Sequence, residues 1–353
     1  MPTDQVLFER RGQLGVILLN RPRNINALTP QMVEAMLAKL SEWAHDNAVK
    51  TVLVRGAGER GLCAGGDIVA IYRDMVDGDG DATAQFWARE YRLNSLVGRY
   101  PKPYVAFMDG LVLGGGVGIS AHGSHRIVTE RTRMGMPETT IGFVPDVGGT
   151  FLLAAAPGES GTHAAMTGAH LDGADALHLG LADHFVRSDR LDALATALEE
   201  EAADEALADF AVEPQSSRLA AERTWIDQAY ASNDVAEIVR RLRSAPVPEA
   251  AQAADTIEAK SPTALKVALA ALRRARLRDL TLEDALDMEY RIGLRLLAGH
   301  DFREGIRAQV IDKDRSPRWN PATTADVTTN MVADCFASLG GRELGLAEGV
   351  AIG

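Results

Sequence analysis

The sequence has few cysteines and no excess of positive charge. Its two cysteines, Cys63 and Cys335, lack the spacing of metal ligands, so they predict neither a disulfide framework nor a zinc site. The formal net charge is -12, from 49 acidic and 37 basic residues, with no basic block. This balance argues against a protein that works on nucleic acid or on an anionic membrane surface.

Long apolar runs are also missing, and none approaches the length needed to cross a membrane. The N-terminal residues MPTDQVLFERRG have neither the apolar centre of a signal peptide nor the arginine-rich, acid-poor character of a transit peptide. A hydrophobic content of 46% and a charged content of 24% are those of an ordered globular protein. Together these features predict a cytosolic protein.

The hydrophobic pattern of the first half alternates strands with helices. Apolar runs over 6–8 and 16–19 predict a hairpin, and Thr29-Pro30 predicts the start of a helix. A strand over 50–56 then leads through a glycine-rich loop into a helix over 68–75, and the same order recurs over 104–122. The pattern therefore predicts an α/β fold with glycine loops at the strand ends.

Beyond Gly158 the pattern becomes helical. Apolar residues at helical spacing predict helices over 174–179, 191–202, 235–242, 263–275, 281–298 and 327–339. The best hinge candidates are the acidic, alanine-rich stretch 199–209 and the polar stretch 214–217. We therefore divide the chain into a core over residues 1–200 and a mainly helical region over 201–353.

The chemistry is expected in the stretch 108–151. The glycines of 114–118 follow an apolar run, and they let the backbone turn tightly while its N–H groups stay available to a ligand. A helix running on to His122 would add its positive N-terminal end, which suits a developing charge such as a thioester oxyanion. Farther on, Glu138 and Asp146 each stand beside a proline in an apolar run, as functional or fully paired carboxylates do.

Four phrases occur in the order RPRNINAL, GLCAGGD, GLVLGGGVG and MPETTIGFVPDVGGTFLL. With them the chain resembles the enoyl-CoA hydratase/isomerase (crotonase) superfamily. The phrases REY, SPTALKV, EYR, GHDFREGIRA and DKDRSPRW make it most similar to the 3-hydroxyisobutyryl-CoA hydrolase branch. The resemblance implies a crotonase-type spiral core of ββα repeats, followed by a mainly helical C-terminal region.

The resemblance also implies an acyl-CoA substrate whose thioester carbonyl is held by two backbone N–H groups, those of Gly66 and Gly115. Fixed donors in a dry pocket stabilise the oxyanion at little reorganisation cost. The neighbours Ala64, Gly65 and Asp67 are expected to line the substrate. No cofactor is expected, because coenzyme A is part of the substrate.

The carboxylates depart from the hydratase pattern. Hydratases of the superfamily use two glutamates; Glu138 matches one of them, but Gly118 stands where the other would be. Asp146 matches the aspartate of the hydrolase branch, and Glu90 matches a residue that contacts the hydroxyl end of the substrate. We therefore expect Glu138 to attack the thioester or to activate water, and Asp146 to orient the water or handle the proton.

Each carboxylate also has a structural interpretation. Glu138 could be a buried partner of an arginine such as Arg131 or Arg133, and Asp146 could cap a helix starting near Gly148. Glu90 could be an ordinary charge on the exposed face of a helix over 82–96.

Several other residues have weaker signals. Cys63 is interpreted as structural, because no histidine near it in sequence could activate it, and His122 and His125 are expected to be packing residues. Arg23 and Lys266 are candidates for the CoA phosphates. The GGGVG run does not meet G-x-G-x-x-G, which disfavours a nicotinamide cofactor.

The function predicted from these features is hydrolysis of a short branched 3-hydroxyacyl-CoA, first of all 3-hydroxyisobutyryl-CoA, in valine breakdown. The alternatives are an enoyl-CoA hydratase or isomerase and, from another class, a non-catalytic scaffold that binds acyl-CoA. A homo-oligomer is possible.

Overall fold

The computed structural model describes residues 4–348; residues 1–3 of the N-terminal stretch and 349–353 of the predicted helical region lie outside it. The chain forms two compact units that alternate along the sequence. The sheet unit comprises Met1–Asp67, Arg89–Gly135 and His170–Arg218, and the helical unit comprises Ile68–Ala88, Met136–Ala169 and Leu219–Gly353. The sequence predicts one boundary, at residue 200. In the structure each unit is instead built from three separate segments of the chain.

Within residues 4–348, eight strands lie in the sheet unit. They are β1 (Val6–Arg11), β2 (Leu14–Leu19), β3 (Thr51–Gly56), β4 (Tyr104–Met108), β5 (Leu111–Leu113), β6 (His125–Val128), β7 (Arg133–Gly135) and β8 (His184–Phe185). The larger sheet has the order β1-β2-β3-β4-β6-β8, and β5 pairs with β7 in a smaller sheet. The predicted hairpin is confirmed, because β1 and β2 are antiparallel with Val6 opposite Leu19; the other pairs are parallel.

Successive turns of the chain contribute to both sheets. Strand β4 of the larger sheet is followed by β5 of the smaller one, and β6 is followed by β7. After β3, Cys63 forms an isolated parallel bridge with Val112 of β5. This is a spiral of ββα repeats, so the predicted fold class is confirmed.

The helices of the described residues, in chain order, are α1 (Pro30–His45), α2 (Ile68–Asp77), α3 (Asp81–Gly98), α4 (Gly115–Gly118), α5 (Gly149–Ala155), α6 (Ser160–Thr167), α7 (Gly173–His178), α8 (Leu191–Ala197), α9 (Ala203–Ala208), α10 (Arg218–Tyr230), α11 (Val235–Ser244), α12 (Pro248–Glu258), α13 (Pro262–Arg278), α14 (Leu282–Leu297), α15 (His300–Ile306) and α16 (Thr329–Cys335). Helix α1 begins as predicted, since the Thr29 hydroxyl accepts a hydrogen bond from the Met32 N–H. Helix α3 passes from the helical unit into the sheet unit at Arg89.

The core of the sheet unit lies between one face of the larger sheet and helices α8 and α9. The sheet contributes Leu14, Val16, Leu53, Val105, Phe107 and Ile127, and the helices contribute Leu191, Leu194, Ala206 and Leu207. Burial of such side chains is worth about 1.5–3 kcal/mol each for the larger ones. This packing holds in place the strands that end at the glycine loops.

Some predicted element bounds are wrong. Helix α4 ends at Gly118 rather than at His122, because a run of glycines costs about 1 kcal/mol per residue in a helix. The helix predicted over 191–202 ends at Ala197, and the stretch 199–209 contains α9 instead of acting only as a hinge. Helices α10 and α12 were not predicted at all.

Candidate functional site

The backbones of Gly66 and Gly115 approach each other at the glycine loops of the sheet unit. Gly66 forms a parallel bridge with Leu28, in which the Leu28 N–H donates to the Gly65 carbonyl at 2.8 Å and the Asp67 N–H donates to the Leu28 carbonyl at 3.1 Å. Both bonds use the neighbours of Gly66, so its own N–H points away from Leu28. A Cβ placed on Gly115 would lie 3.4 Å from the Gly66 nitrogen.

The two N–H groups are available as donors. Gly115 is the first residue of α4, where N–H groups have no partner within the helix. Among residues 4–348, neither the Gly66 nor the Gly115 N–H donates a hydrogen bond to another residue. Two N–H donors on neighbouring backbone segments are candidates for an oxyanion hole.

The loop before Gly66 depends on close backbone contacts. Gly65 has φ +100°, which residues with a side chain rarely adopt, and a Cβ there would lie 3.3 Å from the Leu113 carbonyl oxygen. The Gly65 N–H donates to the Cys63 sulfur at 3.4 Å. Burial raises the pKa of the Cys63 thiol to about 12, so it is protonated at neutral pH and unsuited to act as a nucleophile.

Other predicted substrate-lining residues tie this loop to the RPRNINAL segment. Asp67 pairs with the Arg21 guanidinium at 3.1 Å, and the Ala64 N–H donates to the Ile25 carbonyl at 2.9 Å. Arg23 lies exposed on the 3-10 turn Pro22–Asn24 of this segment. The interpretation of Arg23 as a phosphate contact stays a prediction.

Glu90 is a buried residue of α3, with an exposed fraction of 2%. The alternative interpretation of Glu90 as an exposed surface charge is therefore wrong. Its Oε1 lies only 2.5 Å from the position that a Cβ on Gly115 would occupy, so the absence of a side chain at Gly115 makes room for this carboxylate. Gly118 ends α4 without a carboxylate, and the acidic group beside α4 comes from α3.

Glu138 lies in the helical unit, at the first residue of the 3-10 turn Glu138–Ile141, and is 8% exposed. The Phe143 N–H donates to its carbonyl at 3.0 Å. Gly142 ends the turn with φ +75°, and a Cβ there would come within 2.4 Å of the Asp301 carbonyl oxygen. The turn that presents Glu138 thus depends on a glycine at 142.

Arg131 and Arg133, named above as alternative partners of Glu138, have contacts within the sheet unit. The Arg131 guanidinium pairs with Asp109 at 2.7 Å, and Arg133 donates to the Thr132 carbonyl at 2.7 Å.

Asp146 is buried at the start of a strained turn in the helical unit. The next residue, Val147, has φ +52°, an outlier for a β-branched residue, and Gly148 has φ +81°. The Gly149 N–H donates to the Asp146 carbonyl at 2.6 Å, which closes the turn. Such strain persists only where the surroundings enforce it, and it clusters at functional sites.

Glu289 of α14 enforces this turn, and sequence reasoning missed it. Its fully buried carboxylate accepts the Gly148 N–H at 2.7 Å and the Thr150 N–H at 2.8 Å, and so caps α5. Glu289 therefore supplies a cap for this helix, and the alternative interpretation of Asp146 as a capping residue stays a prediction. Burial, and to a smaller extent the charge of Asp146, raises the pKa of Glu289 to about 8.

A signal for Glu289 was present in the sequence. It is an acidic residue on a helix whose neighbours Met288, Ile292 and Leu296 are apolar at helical spacing, and a carboxylate among them needs a buried partner. The phrase EYR was used only for the family resemblance. The partner could not be identified from sequence, because it lies on a distant segment.

The remaining candidates have structural contacts. The Lys266 amine, in the helical unit, donates to the Val327 carbonyl at 2.8 Å, and its contact with CoA phosphate stays a prediction. His125 lies 3.1 Å from Asp204 and 2.8 Å from Ser124. Among residues 4–348 no group of three or more His, Cys, Asp or Glu could hold a metal ion, and no helix is long and apolar enough to span a bilayer.

The chain is similar to known families and proteins. A family model described as enoyl-CoA hydratase/isomerase matches residues 14–336. The mitochondrial 3-hydroxyisobutyryl-CoA hydrolase of Danio rerio is 40% identical over 355 residues, which covers 97% of this chain and 92% of that protein. The Homo sapiens protein of the same name is 38% identical over 352 residues, which covers 97% and 90%.

Two solved structures share the fold along nearly the whole chain. A carnitinyl-CoA dehydratase from Mycobacterium thermoresistibile is 50% identical with a TM-score of 0.93, covering 97% of this chain and 98% of that one. An enoyl-CoA hydratase from Rhodobacter sphaeroides is 41% identical with a TM-score of 0.92, covering 97% and 99%.

The comparison contradicts the predicted cytosolic location, because the hydrolase relatives are named as mitochondrial proteins. We therefore withdraw that prediction. Targeting signals lie in segments that the folded domain does not need. The composition of a folded domain therefore says little about the compartment of the protein.

Proposed function

The chain belongs to the enoyl-CoA hydratase/isomerase family and is an acyl-CoA thioester hydrolase, and we propose that its substrate is a short, branched 3-hydroxyacyl-CoA, first of all 3-hydroxyisobutyryl-CoA. The products are then 3-hydroxyisobutyrate and CoA, as in valine breakdown. The observation that carries the proposal is the similarity, along 97% of the chain, to relatives named 3-hydroxyisobutyryl-CoA hydrolase.

The proposed roles follow from the chemistry of thioester cleavage. Nucleophilic attack on the carbonyl carbon moves charge onto its oxygen, and the N–H groups of Gly66 and Gly115 stabilise that oxyanion. Glu138 supplies the electron pair, either by taking a proton from the attacking water or directly as nucleophile. Asp146 orients the water or handles the proton. The C–S bond then breaks, and the thiolate of CoA takes up a proton. In the direct case the acyl group stays on Glu138 as a mixed anhydride once the C–S bond breaks, and water then hydrolyses it to release the acid and free Glu138.

The geometry supports these roles in each unit by itself. In the sheet unit two available N–H groups belong to neighbouring backbone segments beside buried Glu90, whose proposed role is to contact the hydroxyl end of the substrate. In the helical unit two buried carboxylates stand on enforced turns, and such groups occur where chemistry requires them.

A second candidate function is hydration of an enoyl-CoA double bond. It is favoured by the two solved structures named above, which are called a dehydratase and a hydratase. Against it stands Gly118, which supplies no carboxylate at the place where the family's hydratases carry their first glutamate.

The deciding experiment follows two signals with one panel of substrates. Released thiol and loss of the enoyl absorbance are followed with 3-hydroxyisobutyryl-CoA, isobutyryl-CoA and crotonyl-CoA. We expect thiol release that is fastest with the 3-hydroxyacyl ester. Rapid hydration of crotonyl-CoA, with no thiol released from any ester, would contradict the hydrolase function.

A further inference from the structure

Asn94 of α3 carries a buried side-chain amide. Its side chain is fully buried, with an exposed fraction of 0%. Within residues 4–348 neither its Oδ1 nor its Nδ2 has a hydrogen-bond partner. Buried polar atoms lose their hydration on folding, and nearly all of them in native proteins recover it through a partner. A leucine of similar shape would avoid this cost, so the amide is a candidate for contact with a ligand.

The helix places Asn94 one turn from Glu90, whose carboxylate lies beside Gly115. Asn94 follows Glu90 by four residues, so the two side chains lie on one face of α3. Helical side chains lean toward the N-terminus, which inclines the amide of Asn94 toward Glu90. The Oε1 of Glu90 in turn lies 2.5 Å from the position of a Cβ on Gly115. Asn94 therefore shares a helix face with the carboxylate that lies beside Gly115.

The chemistry of this pair selects a ligand group. An amide Nδ2 donates hydrogen bonds and a carboxylate only accepts them. A hydroxyl group matches both, because its oxygen accepts from the amide while its O–H donates to the carboxylate. An alkyl group satisfies neither side chain, and a ligand carboxylate would repel Glu90.

We propose that Asn94 binds the 3-hydroxyl group of the acyl-CoA together with Glu90, and so makes the enzyme discriminate hydroxylated from plain acyl groups. The proposal rests on the proposed function, which supplies a 3-hydroxyacyl substrate. It adds a specificity-determining residue to that function.

The test compares two CoA esters with the same carbon skeleton, 3-hydroxyisobutyryl-CoA and isobutyryl-CoA. Thiol release is measured with the full chain, the Asn94→Leu variant and the matched control Ser160→Ala. Ser160 also carries a buried hydroxyl that has no hydrogen-bond partner among the described residues, but it lies on α6. The control therefore also removes a buried polar atom that has no partner among the described residues, but from a different helix.

We expect the unmodified chain to prefer the hydroxylated ester by at least about tenfold in kcat/KM. Asn94→Leu should lose about 10–100-fold in kcat/KM with that ester, since a site built to bind a hydroxyl depends on the bond. Its rate with isobutyryl-CoA should stay within about twofold, and its thermal midpoint should equal or exceed that of the unmodified chain. Ser160→Ala should keep the full preference.

Two results would overturn the proposal. One is an unchanged preference in Asn94→Leu, and the other is an equal loss with both esters, which would indicate a structural role. Should the leucine variant fail to fold, Asn94→Ala gives the same comparison with less bulk. An absence of thiol release from either ester in the unmodified chain would instead reject the proposed function itself.

Discussion

Glu289 accepts a hydrogen bond from the backbone N–H of Gly148 at 2.7 Å, across 141 positions of sequence. Its other oxygen takes the Thr150 N–H, so one buried carboxylate holds both sides of the turn that begins at Asp146. The turn contains Val147 at positive φ, a conformation that costs of order 1–3 kcal/mol and needs such support. The position of Asp146 is thus fixed by a residue with no role predicted from sequence.

This arrangement predicts a pH-dependent stability. The pKa of Glu289 is raised to about 8 in the folded protein, from 4.5 as its ordinary value. Between these values the folded state binds the extra proton, so stability falls as pH rises, by up to about 1.4 kcal/mol per pH unit. Urea unfolding at pH 5.5 and pH 9 should show this loss in the unmodified chain and a smaller one in Glu289→Gln. Equal pH slopes in both proteins would contradict the assignment.

A second prediction concerns Gly142. Alanine there must hold φ +75° and place its Cβ 2.4 Å from the Asp301 carbonyl oxygen. We expect Gly142→Ala to lower the free energy of unfolding by about 2–4 kcal/mol, from backbone strain and overpacking together. Gly180→Ala is the matched control, because Gly180 has φ +73° but no atom within 4 Å of the added Cβ.

Gly180→Ala should therefore cost only about 1–2 kcal/mol for the left-handed backbone. Urea midpoints at one pH measure both variants. Equal losses at the two glycines would mean that the contact with Asp301 does not constrain the turn of Glu138.

The sequence and its family resemblance predict the parts of the candidate site that lie in local motifs, and their roles stay predictions. Gly66 and Gly115 belong to glycine-rich phrases at strand ends, and Glu138 and Asp146 stand out as carboxylates in apolar runs. Sequence reasoning failed where a group acts across the fold. Glu289 caps a segment about 140 positions away, and nothing near it in sequence indicates that partner.

The same limit applies to the helices. The pattern after the glycines of α4 predicts a helix that continues to His122. The weak helix propensity of glycine ends the helix after one turn. Asn94 carried a weak local signal, since an asparagine inside a helix competes for backbone hydrogen bonds and is disfavoured there. Only its burial in the fold makes that signal meaningful.

A third prediction concerns the room at Gly115. The Cβ of Gly115→Ala would collide with the Glu90 Oε1 at 2.5 Å and press on Leu28 at 3.2 Å, and the flexible carboxylate can move away. The fold should survive while the oxyanion donors and Glu90 shift. We expect turnover to fall on the order of 10–100-fold, with an unchanged circular dichroism spectrum.

The control for this variant is Gly341→Ala, where the added Cβ meets no atom within 4 Å. It should keep full turnover and stability. A normal rate in Gly115→Ala would remove Gly115 from the proposed site.

The last prediction concerns the division of labour between Glu138 and Asp146, both buried and eight positions apart in sequence. If Glu138 is the nucleophile or the base, an amide keeps its shape but removes the electron pair that reacts. Glu138→Gln should then nearly abolish thiol release. Asp146→Asn should be slower by about a hundredfold to ten-thousandfold but measurable, as is usual for general acid or base help.

The double variant tests whether the two groups act as one unit. Residues that serve the same step are not additive, so Glu138→Gln with Asp146→Asn should be little worse than Glu138→Gln alone. Circular dichroism and urea unfolding of each variant separate a lost fold from lost chemistry. Full activity in a folded Glu138→Gln would reject the mechanism. Losses that multiply in the double variant would show instead that the two carboxylates contribute to separate steps.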